Sequence, residues 1–215
     1  MTKRQFDLST YLVTDRALSG ARGVEAVVAR AIEGGVSLVQ LRDPEAKTGV
    51  LVEQARALLA LLRPAGIPLI INDRVDVALA VGADGVHVGQ LDMSVPDVRA
   101  LIGAELIVGL SVSTLAQLER SAHVLGQVDY LGVGPIFATQ TKPDAATPIG
   151  ASGLAAVAGR TALPIVAIGG LNRDNAAEAI RAGAAGVAVV SAICAAVDPG
   201  LATREIAQVV RTARG

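Results

Sequence analysis

Short apolar runs rich in Val, Ile and Leu recur along the chain, separated by longer stretches in which apolar residues return at helical spacing. The first run, Tyr11 to Thr14, reads as a strand. A helix from about Gly23 to Ile32 follows and closes on Gly34-Gly35, and Ser37 to Leu41 forms the second strand. That strand runs into Arg42-Asp43-Pro44, after which Val50 to Leu62 is helical. Leu69 to Ile71 is the third strand, ended by the polar pair Asn72-Asp73. Val75 to Val81 is a helix, and the fourth strand ends in Gly89-Gln90-Leu91-Asp92. A helix beginning near Ser94, with Pro96 in its first turn, leads to a fifth strand at Leu106 to Val112. Thr114 to Ala122 is helical again. Tyr130 to Phe137, Pro164 to Ile168 and Gly186 to Val190 are the sixth, seventh and eighth strands, and a last helix spans about Leu201 to Thr212.

This alternation predicts an α/β fold, a single (β/α)8 TIM barrel over residues 1–215, in which parallel strands close on themselves. A doubly wound open sheet would normally use fewer strands and carry a G-x-G-x-x-G turn after the first, and none follows Tyr11 to Asp15. The tetrads at Gly82 to Gly85 and Gly183 to Gly186 look alike. They reflect a common helix-to-strand turn rather than a duplicated unit.

Composition changes the picture in two ways. Hydrophobic residues make up 52% of the chain and aromatics only 2%, so the core must be aliphatic and small. Few aromatics and a formal charge of -1 also remove the stacking platforms and the electrostatic footprint of a nucleic-acid reader. No apolar run reaches the roughly 18 residues of a membrane span. The amino terminus has basic residues without an apolar core behind them, so a cytoplasmic protein is expected. The single Cys194 allows no internal disulfide and reads as a small core residue.

In a barrel the residues just beyond each strand gather at one mouth, and here they are polar: Gln40 and Arg42, Asn72-Asp73, Gln90 and Asp92, Ser111 and Ser113. The sixth strand opens into a long loop with Thr139, Thr141 and Lys142, the seventh ends in Gly169-Gly170 and the eighth in Val190-Ser191. Asp73 and Asp92, with no Cys or His cluster beside them, suit a hard cation such as Mg2+. The alternative is that both merely cap helices. Gly169-Gly170 and Val190-Ser191 lie where barrels commonly bind phosphate through backbone N–H groups. Of the two histidines, His87 falls mid-strand and is expected to be a hydrogen-bonded interior imidazole, and His123 to lie on the surface. An inventory without an evident general base fits departure of a metal-bound diphosphate, which needs charge stabilisation more than proton transfer.

The same residues carry a resemblance. The segments Gln40 to Asp43, Ile70 to Asp92, Gly109 to Thr114, Gly132 to Lys142, Val166 to Leu171 and Val189 to Ile193 resemble thiamine-phosphate synthases, in family order and over nearly the whole chain. The resemblance implies a Mg2+-dependent transferase that joins hydroxymethylpyrimidine diphosphate to a thiazole phosphate by a dissociative route, releasing pyrophosphate. It places the metal on Asp73 and Asp92, and the pyrimidine diphosphate on Gln40, Leu41, Arg42, Asp43, Pro44, Asn72, Ser111 and Lys142. Arg42, Ser111 and Lys142 are the catalytic candidates. Thr139, Gln140, Thr141, Gly170, Val190 and Ser191 resemble the thiazole-phosphate contacts. The chain departs from the family where Pro44 replaces a basic residue, with Lys47 three residues further on.

Two rivals remain open at this level: a sister barrel that tautomerises the thiazole phosphate, and a non-catalytic phosphate-binding barrel. Neither has a use for the acid pair together with Arg42 and Lys142. The expected partners are small phosphorylated substrates, not nucleic acid or a membrane, with room for a homo-oligomer.

Overall fold

The computed structural model describes residues 5–139 and 146–215. Its strands are Thr10–Val13 (β1), Leu38–Leu41 (β2), Leu69–Asn72 (β3), Gly85–Val88 (β4), Ile107–Val112 (β5), Tyr130–Val133 (β6), Ile165–Ile168 (β7) and Gly186–Val189 (β8). Each pairs in parallel with the next, and β1 pairs with β8, so the barrel is closed and no sheet edge is left open. The helices that follow the strands are Gly23–Gly34 (α1), Thr48–Leu62 (α2), Val75–Val81 (α3), Val95–Ile102 (α4), Leu115–Arg120 (α5), Gly150–Ala158 (α6), Ala176–Arg181 (α7) and Pro199–Arg214 (α8). Among the described residues, no helix is long and apolar enough to cross a membrane.

Strand parity divides the core in two. Leu12, Val39, Leu41, Ile71, Val86 and their counterparts face outward into a layer shared with the helices. Tyr11, Leu38, Ile70, Ile107, Tyr130 and Val166 face inward and fill the barrel floor. Each fully buried aliphatic side chain contributes about 1.5–3 kcal/mol relative to exposure. The helices follow from local signals. In α1, Val24, Val27, Val28 and Ala31 form one buried stripe, and Gly35 ends it with a left-handed backbone. Ser94 caps α4 through its hydroxyl, with Pro96 in the first turn, and Asp198 caps α8 by accepting from Gly200 and Leu201.

The sixth strand is shorter than its apolar run suggests. It stops at Val133, because Pro135 has no N–H to give to the ladder. The chain beyond it still follows β7, with Ile136 N donating to Ile168 O at 2.9 Å and Phe137 N to Gly169 O at 3.0 Å. The helix expected over Thr114 to Ala122 stops at Arg120 and continues as a 3-10 turn over Ala122–Gln127. Below the barrel, buried Asp129 accepts from Arg99 Nη2 at 2.6 Å and from Val108 N at 2.8 Å, tying α4 to β5 and β6. Cys194 is fully buried, as a core residue should be.

Candidate active site

The carboxyl ends of the strands surround a cavity of about 590 Å3, within the usual range for small-molecule sites. Gln40 and Arg42 enter it from β2, Asn72 and Asp73 from β3, Gln90 and Asp92 from β4, and Ser111 and Ser113 from β5. Thr139 lines it from the loop after β6, Gly169 and Gly170 from β7, and Val190 and Ser191 from β8. Gln140, Thr141 and Lys142 lie outside the described residues. Leu41 does not line the cavity: it is one residue out of phase with Gln40, so its side chain packs in the helix-facing layer. Asp43 and Pro44 are likewise absent from the lining. Asp43 accepts from Gln54 on α2 at 3.3 Å, and Pro44 is exposed.

Asp73 and Asp92 share one corner. Burial and the neighbouring Asp92 carboxylate push Asp73 up to about 6, against the hydrogen bond from Asn72 and the charge of Arg42. Asp73 is also the one non-glycine among the described residues with a positive φ, at 58°. A side chain held in that region commonly marks a functional site. Its N–H donates to His87 O at 2.8 Å, which pins β3 to β4 beneath the pair. Neither acid caps a helix: the cap residue of α3 is Arg74, which makes no side-chain cap bond, and Asp92 accepts from Gly89 N at 2.8 Å in its own turn. Among the described residues, no third His, Cys, Asp or Glu joins them in a cluster.

On the opposite rim, Gly169 and Gly170 have φ of 97° and 66°. Their carbonyls are taken by Phe137 N and by Asn175 Nδ2 at 2.9 Å, neither of which lines the cavity. A Cβ at Gly170 would lie 2.6 Å from Ala138 O, so only glycine lets this turn sit against the loop after β6.

His87 is the interior imidazole expected from its place mid-strand. Burial holds its pKa down to about 4, and both ring nitrogens are engaged, Nδ1 with the Tyr130 hydroxyl at 2.9 Å and Nε2 with Ser111 Oγ at 2.8 Å. It is therefore a neutral, fully partnered group rather than a free base. His123 is exposed. The structure adds Gln117 beside the rim and Tyr11 and Tyr130 beneath it to the polar residues expected there, and gives Gln90 a partner. Gln117 accepts from Ser113 N at 2.6 Å, and Gln90 donates to Ser111 O at 2.8 Å, so the rim of β5 is held on both sides. Tyr11 and Tyr130 lie beneath Gln40 and Ser111. The inward parity they share with Gln40 and His87 is the signal that would have found them.

Comparisons with known proteins bear on this geometry. The family model described as thiamine monophosphate synthase matches residues 10–193. The thiamine-phosphate synthase of Azorhizobium caulinodans is 56% identical over 97% of this chain and 98% of its own. That of Xanthobacter autotrophicus is 58% identical over 98% and 99%. The solved structure of a thiamine phosphate pyrophosphorylase from Pyrococcus furiosus superposes with a TM-score of 0.86 at 37% identity, covering 97% of this chain and 98% of its own. With a matched barrel, a matched length and a cavity at the expected mouth, this chain belongs to the thiamine monophosphate synthase family.

Proposed function

We propose that this protein is a transferase that couples hydroxymethylpyrimidine diphosphate to a thiazole phosphate, forming thiamine phosphate and releasing pyrophosphate. The observation that carries this reading is the division of one cavity between a charged corner and an uncharged one built from two tight turns. One holds Asp73, Asp92 and Arg42, and the other the Gly169-Gly170 and Val190-Ser191 turns. Two phosphorylated ligands fit such a mouth, each with its own anchor.

The acid pair fits a magnesium ion on its own chemistry. A carboxylate whose proton affinity is raised by burial and by a second carboxylate beside it gains from a shared hard cation, and magnesium typically takes one or two protein carboxylates with waters and substrate phosphates completing its shell. Asp73 and Asp92 would hold it; when bound, it neutralises diphosphate charge. Arg42 faces the same charge as a fixed cation, and Lys142 is assigned the same role from its place after Thr139, Gln140 and Thr141. Asn72 holds Asp73 in place by donating to its Oδ2. Gln40 and Ser111 orient the pyrimidine over the barrel floor, and Ser191 with the Gly170 and Val190 backbone takes the thiazole phosphate.

The bond to the diphosphate breaks first, the electron-rich aminopyrimidine spreads the charge left on the methylene carbon, and the thiazole nitrogen attacks it. No residue need remove a proton in this order, which suits a site whose interior histidine is neutral and doubly bonded. The acid pair also favours coupling over a tautomerase, which would have no use for a metal or diphosphate corner. Pyrophosphate release with both substrates, titrated with magnesium, tests the reading. Turnover is expected to require all three, and Asp73→Asn or Asp92→Asn to abolish it while the far-ultraviolet spectrum stays unchanged. Undiminished turnover in both variants at limiting magnesium would sink the metal assignment.

A further inference from the structure

Beneath the cavity runs one unbroken chain of hydrogen bonds. Gln40 Nε2 donates to the Tyr11 hydroxyl at 2.7 Å, the Tyr11 and Tyr130 hydroxyls meet at 2.9 Å, Tyr130 meets His87 Nδ1 at 2.9 Å, and His87 Nε2 meets Ser111 Oγ at 2.8 Å. It crosses the barrel from β2 through β1, β6 and β4 to β5, and it uses both tyrosines of the protein and one of its two histidines. Tyr11, Tyr130, His87 and Gln40 are all buried. Space has been cleared for it: a Cβ at Gly109 would lie 2.2 Å from Tyr130 Cζ and 2.3 Å from His87 Nδ1, and one at Gly132 would lie 2.9 Å from His87 Cε1. A barrel floor needs only apolar filling, so a polar chain with two positions emptied around it calls for a reason beyond packing.

We propose that Tyr11, Tyr130 and His87 are positioning residues that fix which hydrogen-bonding face Gln40 and Ser111 turn to the ligand, and thereby select an aminopyrimidine over the corresponding oxopyrimidine. This rests on the reading of the cavity as the pyrimidine-diphosphate site. Each phenol has one proton to give, and so has a neutral imidazole. Because the Gln40 amide nitrogen donates to Tyr11, the Tyr11 proton passes to Tyr130 and the Tyr130 proton points at Nδ1. The imidazole proton then sits on Nε2 and is donated to Ser111. The two ends of the chain are thereby set: Gln40, with its amide nitrogen turned to Tyr11, keeps its carbonyl oxygen and one remaining amide proton, and Ser111 keeps its hydroxyl proton for the ligand. Both residues line the cavity. Reversing the Tyr11–Tyr130 link reverses the two links beyond it and strands the buried Tyr11 proton between two donors, so the polarity of the chain is held while Gln40 donates to Tyr11. An aminopyrimidine offers an amino donor and bare ring nitrogens, matching an acceptor at β2 and a donor at β5. The oxo ring puts an acceptor where the amino group was and a proton on a ring nitrogen, which inverts the match.

The test compares the dissociation constants of the amino diphosphate and its 4-oxo analogue in wild type, Tyr130→Phe and Tyr11→Phe. Both variants keep the ring and remove one link. Wild type is expected to prefer the amino ligand, and each variant to lose on the order of tenfold of that preference, the equivalent of one hydrogen bond. The Michaelis constant for the thiazole phosphate should stay unchanged. Should Tyr130→Phe fail to fold, Tyr11→Phe decides. An unaltered preference, or equal weakening of both ligands in a folded variant, would reduce the chain to a structural element and overturn the proposal. The ring tautomer gives a reading in the unaltered protein: with only two histidines to assign, nitrogen-15 shifts of His87 should show the proton on Nε2, and a proton on Nδ1 would overturn the stated polarity. Absent pyrophosphate release by wild type would instead sink the proposed function, whereas the tautomer measurement reports on the chain alone.

Discussion

Asp73 combines a left-handed backbone with a carboxyl pressed against another carboxyl, and both features work against stability in the unliganded protein. Its pKa is raised from 3.8 to about 6, first by burial and then by Asp92. Between those values the folded state holds more proton than the unfolded chain, so this group's contribution to stability is fully present below about pH 4 and is lost as pH rises through 6. Asp73→Asn is therefore expected to melt above wild type at pH 8 in chelator, with the gap closing towards pH 4. A variant that melts below wild type at pH 8 would mean the carboxylate is satisfied by something other than a cation. Arg99 and Asp129 behave in the opposite sense. Asp129 is buried and Arg99 largely so, and Arg99→Ala removes the cation from a buried carboxylate that keeps the Val108 N–H; it should cost about 3 kcal/mol in denaturant melts at neutral pH. These are the residues at which function and stability part company.

At the level of elements, the loops after the strands decide where the diphosphate finds its cations. Lys47 starts α2 as its cap residue and does not line the cavity, and Pro44 beside it is exposed. Its position outside the lining argues against Lys47 as the replacement for the basic residue that the family resemblance expects at Pro44. Lys47→Ala should leave turnover nearly unchanged, and Lys142→Ala should lower it on the order of a hundredfold, as for loss of one preorganised contact to developing charge. The reverse ranking in steady-state rates would make Lys47 the relocated cation. From the sequence, a side chain at Gly170 obstructs the phosphate cradle and is expected to affect the thiazole phosphate more than the pyrimidine diphosphate. The structure puts that Cβ into the backbone of the loop after β6 at Ala138 and against Phe137. Gly170→Val is accordingly expected to raise the Michaelis constants of both substrates, because the displaced loop also carries Lys142. A rise confined to the thiazole phosphate would show that the loop adapts and only the cradle is blocked.

Across the whole molecule, ligand binding should appear as stability. If Asp73 and Asp92 hold magnesium as proposed, two carboxylates alone would hold it weakly, whereas pyrophosphate would add oxygen ligands to the ion and meet Arg42, which lines the same cavity. A ligand present at a hundred times its dissociation constant stabilises by about 2.7 kcal/mol. Thermal melts should therefore show a small shift with magnesium, a small shift with pyrophosphate in chelator, and a shift larger than their sum with both. Strict additivity would place the two on separate sites.

Much of this was legible in the chain, and for a physical reason. Strands of a closed parallel barrel are short, apolar and separated by helices with their own caps, so α3 and the ends of β3 and β4 are local properties of Leu69 to Asp92. Once the strands are ordered, their carboxyl ends must share one mouth, and Gln40, Arg42, Asn72, Asp73, Asp92 and Ser111 meet there by topology alone. What lies across the barrel was not legible. Whether Leu41 faces the mouth or the helices turns on strand phase, and that the acids face one another rather than cap helices depends on the positive φ of Asp73. The chain from Gln40 to Ser111 joins residues as far as 119 positions apart through Tyr11 and Tyr130. Such contacts are properties of barrel closure, which brings opposite strands within hydrogen-bonding reach, and no periodicity along a single strand encodes them.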